Sequence, residues 1–318
     1  MTHYRFIAAA AVVLLCASPL APAQDSQPPF GAASARYLDY FDSQGPRPAN
    51  APGEKRAAAY ITAELQSMGY TPERQAFTET VSQKRTRLRV DSENVVCMKR
   101  GASDKEILVV AHYDSVIDGN GTDDNASGVA LLLEMCGMVR ARTLPHSVRF
   151  IFFGAEELGE VGSMHYVKEM DRAARDRTLV VLNYDSLIAG DQLYAHGNYG
   201  SRGVVRDWFL QRAGVMGIPL VAQGGKNSRY PEGTTGDWGD QAPFERAGLQ
   251  YAAFEATNWD LGERDGYTQT DAAWGEKGAI WHTRYDNLQY IERTFPGRSR
   301  EHLTACSRLL YSFLTEYN

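Results

Sequence analysis

The chain has 318 residues, of which 43% are hydrophobic and 23% are charged, and it contains 29 glycines, 13 prolines and four cysteines. These fractions lie in the ordinary globular range and exclude an intrinsically disordered chain, a collagen-like fibre and a miniprotein held by disulfides. The formal net charge is -6 at pH 7, and no block of basic residues occurs. The electrostatic signature of a nucleic-acid-binding protein is therefore missing, and we expect no nucleic-acid partner.

The N-terminal segment has the pattern of a secretory signal peptide. Arg5 precedes an apolar run, and a cleavage motif of small residues ends at Ala23. The apolar run is shorter than the roughly 20 residues that a membrane-spanning helix needs. We therefore expect a signal peptide at residues 1–23, a single mature domain at residues 24–318, and no stable membrane insertion after cleavage. The expected location is periplasmic or secreted.

The cysteines bear on export and on cross-linking. Cys16 lies inside the signal segment, but Leu15 stands where a lipid-attachment signal has a small residue, so a lipoprotein is the weaker interpretation. Cys97, Cys136 and Cys306 remain in the mature chain. We favour three buried structural thiols, because two of them lie in apolar helical runs. One disulfide plus one free thiol stays open.

Hydrophobic periodicity predicts two entry helices, then a β-prone segment with a charged turn at residues 84–85, and then a regular alternation of strands and helices. The apolar strands are continuous, which is typical of a parallel sheet buried on both faces. We predict an α/β fold: a single globular domain with a mostly parallel mixed sheet flanked by helices. The predicted strands are 107–111, 148–153, 179–183 and 250–254, after β-prone residues 77–99; the predicted helices are 33–42, 54–68, 126–140, 162–170, 203–212 and 299–317.

Candidate metal ligands follow three of these strands. The first strand ends in His112 with Asp114 just after it, the second is followed by Glu156 and Glu157, and the third is followed by Asp185. In an open α/β sheet, ligands bind outside the carboxyl ends of the strands. These side chains are therefore expected at one edge of the sheet.

Each of these pieces alone has a plain structural explanation. A His-x-Asp pair can be a hydrogen-bonded surface pair, and Asp123-Asp124, in a glycine-bounded turn before the helix at 126–140, can be a helix cap. Carboxylates collected at one edge would nevertheless repel one another, and a bound cation resolves that conflict. Nitrogen and oxygen ligands without a thiolate pattern favour zinc, manganese or cobalt in a catalytic site.

A two-metal centre needs a second histidine. His282 follows a glycine-containing loop and has Asp286 nearby, so it is the preferred candidate, and His196 is a weaker one. The other histidines of the mature chain are expected to be structural: His146, His165 and His302.

Taken in order, these motifs resemble peptidase family M28, a family of zinc aminopeptidases. The resemblance runs from about Arg47 to the C-terminus and implies a zinc-exopeptidase-like sandwich of three layers. Five ordered motifs make the match specific. They are His112-Tyr-Asp114-Ser, Gly121-Thr-Asp-Asp124-Asn-Ala-Ser-Gly, Ala155-Glu156-Glu157-Leu-Gly, Leu182-Asn-Tyr-Asp185, and His282-Thr with Asp286.

The resemblance implies two zinc ions per chain. His112 and Asp185 would hold one ion, Glu157 and His282 the other, and Asp124 would bridge them. Asp124 is chosen over its neighbouring carboxylate because it directly precedes the Asn-Ala-Ser-Gly motif.

The resemblance also implies roles beyond the ligands. Asp114 would orient His112, and Glu156 would act as the general base. Asp240 matches a stretch that we interpret as a structural loop near the site. Trp281 stands where some relatives have a tyrosine that helps to hold the oxyanion, so the oxyanion partner of this chain is left open.

The resemblance implies the function of an aminopeptidase, which removes the N-terminal residue of peptides or proteins by hydrolysis. Two alternatives stay open: a single-zinc enzyme like glutaminyl cyclase, and a noncatalytic binding domain on the same scaffold. An acidic segment after the last predicted strand suggests a preference for Arg or Lys, with a solvated loop as the equal alternative. Its acidic residues are Glu255, Asp260, Glu263 and Asp265.

Overall fold

The computed structural model describes Met1 and residues 29–83, 86–264 and 279–318. The predicted signal peptide, apart from Met1, lies outside these residues, as do the charged turn at 84–85 and Asp265. Among the described residues, no helix is long and apolar enough to cross a membrane.

One mixed sheet forms the centre of the fold, in the strand order β1-β2-β4-β3-β5-β8-β6-β7. The neighbours β4, β3, β5 and β8 run parallel to one another, whereas β1 and β2 form an antiparallel hairpin that pairs with β4. On the other side, β6 pairs antiparallel with β8 and parallel with β7. The strands are β1 Glu73–Gln83, β2 Thr86–Lys99, β3 Ser103–His112, β4 His146–Phe153, β5 Thr178–Tyr184, β6 Gln192–Gly197, β7 Leu220–Val221 and β8 Tyr251–Thr257.

Helices cover both faces of this sheet, so the predicted α/β fold with three layers is confirmed. Alternate residues of β3 point into two different apolar clusters: Val109 packs with the helices of one face, and Val110 packs with those of the other. The helices are α1 Ala32–Gln44, α2 Pro52–Ser67, α3 Ser127–Val139, α4 Val161–Glu169, α5 Arg172–Arg177, α6 Val204–Met216, α7 Gln241–Arg246, α8 Leu288–Thr294 and α9 Arg298–Glu316.

Helix α3 forms the centre of the larger layer. Nearly all of its side chains are buried, and it packs against α1, α9 and the sheet. A helix that is apolar on all sides can be stable only inside a core. Cys136 lies on this helix and is buried, as are Cys97 and Cys306.

The four predicted parallel strands correspond to β3, β4, β5 and β8, and they are neighbours in the sheet. The prediction gave only a possible strand ending at His196 where β6 lies, it missed the two-residue edge strand β7, and it placed the end of α6 at residue 212 instead of Met216. Short edge strands carry little hydrophobic pattern, which explains the omission. The carboxyl ends of the parallel strands lie at one edge, and this edge carries the site.

Candidate metal centre

Three adjacent parallel strands deliver the predicted side chains to one place. His112 is the last residue of β3, Asp185 directly follows β5, and Glu156 begins a short turn after β4. Because β3 lies between β4 and β5 in the sheet, these side chains converge as the sequence predicts.

The turn after β4 is fixed by tight local packing. Ala155 adopts a left-handed backbone with φ 57°, which is unusual for a residue other than glycine. Gly154 before it has no room for a side chain, since a Cβ there would lie 2.4 Å from Ser92 Oγ. The chain therefore reverses sharply and presents the next two residues, Glu156 and Glu157, to the site.

Asp114 holds this turn in place. Its carboxylate accepts hydrogen bonds from the backbone N–H of Glu156 (3.0 Å) and of Glu157 (3.2 Å). Its distance to His112 is longer, with 3.5 Å between Oδ1 and Nδ1. Asp114 thus supports the glutamate doublet directly, whereas its expected contact with the histidine is looser than an ordinary hydrogen bond.

Asp124 lies between two histidines. Its Oδ1 is 3.1 Å from Nε2 of His112, and its Oδ2 is 3.2 Å from Nε2 of His282. Each oxygen of one carboxylate therefore faces a different imidazole. This is the arrangement that a bridging carboxylate requires.

Two groups of potential ligand atoms share this carboxylate. In each group the nitrogen and oxygen atoms lie within 4.8 Å of one another. His112 Nε2 is 3.5 Å from Asp185 Oδ1 in one group, and His282 Nε2 is 2.8 Å from Glu157 Oε2 in the other. The two groups are His112, Asp124 and Asp185, and Asp124, Glu157 and His282. Three nitrogen or oxygen donors per ion fit a catalytic zinc site, which keeps a further position open.

The neighbouring Asp123 points away from both groups. Its Oδ1 accepts hydrogen bonds from the backbone N–H of Ile188 (2.8 Å) and of Ala189 (3.1 Å). Its side chain is fully buried. Asp123 therefore connects the turn before α3 to the loop after β5, while Asp124 faces the histidines.

Asp286 supports the same turn from the opposite side. Its two oxygens accept hydrogen bonds from the backbone N–H of Asp123 (2.7 Å) and of Asp124 (3.2 Å). From the sequence, Asp286 is recognisable only as a neighbour of His282, through its spacing four residues after that histidine.

His282 has a left-handed backbone with φ 58°. A conformation of this kind costs about 1–3 kcal/mol and persists only where the surrounding structure enforces it. Here Asp286 N–H donates to Thr283 O (3.0 Å), and Thr283 Oγ1 donates to Ile280 O (2.5 Å). Trp281 packs edge-on against the imidazole of His282.

The charges at this edge are unbalanced in the metal-free chain. Burial raises the pKa of Glu156 well above its ordinary value, and nearby carboxylates, including Asp240, add to the effect. Burial and the charge of Asp124 raise the pKa of Glu157 to about 7. The pKa of His282 rises to about 11 despite burial, because Asp124 and Glu157 accept its hydrogen bonds. A bound cation would relieve this crowding of anions, so the donor set fits a metal.

A cavity of about 210 Å³ opens beside the two groups. Besides the candidate ligands, its lining includes Glu156, Trp238 and Glu255. Asp240, predicted in a structural loop near the site, is buried at the start of α7, and burial raises its pKa to about 7.

The other histidines that the structure describes lie outside both ligand groups. His196 is an internal residue of β6, and its Nε2 is 2.8 Å from Glu255 Oε1. His165 contacts Glu79. His146 begins β4 and His302 lies on α9, which matches their expected structural roles.

Comparisons with known proteins agree with this geometry. The sequence matches Peptidase family M28 over residues 94–306, more than half of the chain. It is 30% identical over 314 residues to the alkaline phosphatase isozyme conversion protein of Escherichia coli, covering 90% of each chain.

Two solved structures have a similar fold. The zinc aminopeptidase BSAP from Bacillus subtilis superposes with a TM-score of 0.70 at 18% identity, over 91% of this chain and 96% of the other. The glutaminyl cyclase from Porphyromonas gingivalis superposes with a TM-score of 0.69 at 19% identity, over 90% and 98%. The family expected from the ordered motifs is confirmed: the chain belongs to peptidase family M28, the zinc aminopeptidase family.

Proposed function

We propose that this M28 peptidase is an exported two-zinc aminopeptidase that removes the N-terminal residue of peptides or proteins. One observation carries the proposal: the two oxygens of Asp124 face His112 and His282, so that two ligand groups share one carboxylate. The carboxyl group of Glu156 lines the same cavity without belonging to either ligand group.

The proposed ligand roles follow from these positions. His112 and Asp185 would hold one zinc ion, Glu157 and His282 would hold the other, and Asp124 would be shared by both. When bound, zinc supplies Lewis-acid polarisation of the substrate carbonyl and lowers the pKa of water.

Glu156 is the proposed general base. It takes the proton from the attacking water and passes it to the leaving amine. Burial raises the pKa of its carboxyl group, and burial is a usual means by which enzymes tune a carboxyl group for general acid–base catalysis. Asp114 fixes the position of Glu156 through the backbone N–H.

A preference for Arg or Lys at the first position is the finer part of the proposal. Glu255 lines the cavity, and its Oε1 accepts hydrogen bonds from Trp259 Nε1 (2.7 Å) and is 2.8 Å from His196 Nε2. Asp260 is exposed and forms an ion pair with Lys226 at 2.8 Å. Of the two acidic residues of that segment whose side chains the structure describes, Glu255 is therefore the better placed to meet a basic side chain.

Aromatic rings beside Glu255 support the same preference. Trp238 lines the cavity and lies nearly parallel to Trp259, with ring centroids 6.4 Å apart. The position of Trp238 depends on Gly236, because a Cβ there would lie 1.5 Å from the indole ring. An indole ring and a carboxylate that line the same cavity suit a guanidinium or ammonium group.

A panel of aminoacyl reporter substrates, assayed with and without a chelator, tests the main proposal. We expect chelator-sensitive release of the N-terminal residue and no cyclisation of N-terminal glutamine. Cyclisation without peptide hydrolysis would instead favour the glutaminyl cyclase alternative. Folded, zinc-loaded protein that turns over no substrate would favour a binding domain.

The Glu255→Gln variant tests the specificity. A hydrogen bond to a charged group contributes about 1.5–3 kcal/mol, so we expect a loss of about 10- to 100-fold in kcat/KM for Arg substrates. Turnover of Leu substrates should change little, and the Asp260→Asn variant is the matched control. Faster turnover of Leu than of Arg by the wild type would contradict the preference.

Export is proposed from the pattern of residues 1–23. Expression of the full chain in a Gram-negative host, followed by fractionation and N-terminal sequencing, should yield periplasmic or secreted protein that begins at Gln24. Uncleaved protein in the cytoplasmic fraction would contradict this part of the proposal.

A further inference from the structure

Arg47 lies between α1 and α2 and is 1% exposed. Its guanidinium donates three short hydrogen bonds to backbone carbonyls: Nε to Tyr113 O (2.8 Å), Nη1 to Asn120 O (2.8 Å) and Nη2 to Gly121 O (2.7 Å). Its backbone is fixed to Ser115 as well, since Arg47 N–H donates to Ser115 Oγ (2.9 Å) and Ser115 N–H donates to Arg47 O (3.2 Å).

The three carbonyls belong to the two segments that carry the central ligands. Tyr113 directly follows His112 at the end of β3, and Gly121 begins the turn that contains Asp124. One rigid, planar guanidinium therefore joins these two segments. Arginine suits this position because its donors have a fixed fork geometry.

The loop that carries Arg47 packs closely against α2. Gly53, in the first turn of α2, has no room for a side chain, because a Cβ there would lie 2.6 Å from Pro46 O and 3.1 Å from Arg47 Cα. The backbone of Arg47 is thus held in place, as are the carbonyl groups that its guanidinium binds.

The surroundings of Arg47 are acidic. Its guanidinium is near the carboxylates of Asp286, Asp114, Asp124 and Glu157, yet its short hydrogen bonds go to carbonyl oxygens. Burying a charge is unfavourable unless neighbouring groups compensate for it. Here the cation offsets part of the repulsion among carboxylates, and at the same time its donors fix the backbone.

We propose that Arg47 is a positioning residue that pre-organises the metal centre, holding the backbone of His112 and of Asp124 at the separation needed for binding before a metal arrives. This inference rests on the ligand roles proposed above. It adds a residue 65 positions before His112 in the chain, outside both ligand groups.

Two effects of removing Arg47 have opposite signs. By Coulomb attraction alone, loss of a nearby positive charge would make zinc bind more tightly. Loss of pre-organisation makes zinc bind more weakly, and removing a group that supports metal ligands typically costs 10- to 100-fold in metal affinity. The direction of the change therefore separates the two effects.

The experiment measures zinc affinity of purified, metal-free protein by competition with a chelating indicator. The variants are Arg47→Lys, which keeps the charge and loses the fork, and Arg47→Met, which loses both. The Arg149→Lys variant is the matched control, because Arg149 is partly buried on β4 and pairs with Glu106 (2.8 Å) away from the ligand groups. Melting temperatures are measured with and without zinc.

We expect zinc to bind about 10- to 100-fold more weakly to both Arg47 variants, with a smaller rise in melting temperature on zinc addition than in the wild type. The Arg149→Lys variant should keep wild-type zinc affinity whatever its stability. Unchanged or tighter zinc binding by Arg47→Lys or Arg47→Met would overturn the inference. Failure of Arg47→Lys to fold in the presence of zinc would overturn it too, by assigning Arg47 to the fold as a whole.

The same titration separates this inference from the proposed function. If the wild-type protein binds no zinc, the proposed function is contradicted. If the wild type and the Arg47 variants bind zinc with equal affinity, only the proposed role of Arg47 is contradicted.

Discussion

Two regions of this protein each contain fully buried residues, and the two regions are chemically opposite. Leu132 in the centre of α3 and Asp123 at the sheet edge are each 0% exposed. The region around α3 gains stability from each apolar group removed from water. The edge region buries carboxylates whose desolvation is unfavourable, and it is held by hydrogen bonds from backbone N–H groups. Burial of apolar groups around α3 therefore stabilises the fold. Part of that stabilisation offsets the unfavourable burial of the carboxylates at the edge, which are positioned to bind a metal.

The largest effect is expected from the shared carboxylate. Asp124→Asn should abolish activity and lower zinc content more than any other single ligand change, because the residue is proposed to serve both ions. Zinc content is measured by elemental analysis of the dialysed protein. The control is Asp123→Asn, since Asp123 binds backbone N–H groups and should affect stability more than zinc content. A zinc content of the Asp124→Asn variant near the wild-type value would mean that another residue is the shared carboxylate.

The glutamate doublet gives the next largest effect. Glu156→Gln should retain zinc and lose about a hundred- to ten-thousand-fold in kcat, the usual contribution of a general base, with little change in substrate binding. Glu157→Gln should lose zinc. Equal zinc loss in the two variants, or near-normal kcat in Glu156→Gln, would show that the roles within this doublet are assigned wrongly.

The apolar region should respond in stability alone. Leu132→Ala removes a fully buried side chain from α3, and such changes cost about 2–5 kcal/mol. Urea unfolding should show this loss, whereas zinc bound per folded chain should stay at the wild-type value. A fall in zinc content of the folded variant would mean that the two regions are more tightly coupled than the structure indicates.

The smallest effect concerns pH. Burial lowers the pKa of His302 to about 4, and its Nδ1 donates to Leu187 O at 3.0 Å. Since the folded pKa lies below the unfolded value of about 6.5, stability is lost as pH falls from about 6.5 to 4, by about 2 kcal/mol at pH 5. His302→Asn keeps a donor and cannot titrate, so its urea midpoint should fall less between pH 7.5 and 5. An equal fall in both proteins would contradict the assignment.

Several residues of the charged edge could be predicted from the sequence alone. His112, Glu156, Glu157 and Asp185 were predictable because each follows an apolar strand of a parallel sheet, whose carboxyl ends must meet. No periodic hydrophobic pattern in the preceding sequence predicts where His282 lies. It was favoured instead by its nearby carboxylate and by the family resemblance.

The supporting residues could not be predicted in the same way. Arg47 binds a carbonyl 73 positions away, and Asp286 binds an N–H 163 positions away. Such contacts leave no local pattern, since they depend on how the chain folds back on itself. The same applies to Trp238, whose place beside the cavity depends on the course of its loop.

Asp124 is proposed to serve two metal ions, and zinc titration of the metal-free wild-type chain counts those ions. We predict two equivalents of zinc per chain at saturation, falling to one in His282→Ala, which removes a ligand of only one group. Saturation of the wild type at one equivalent would contradict the shared site and favour a single-zinc enzyme.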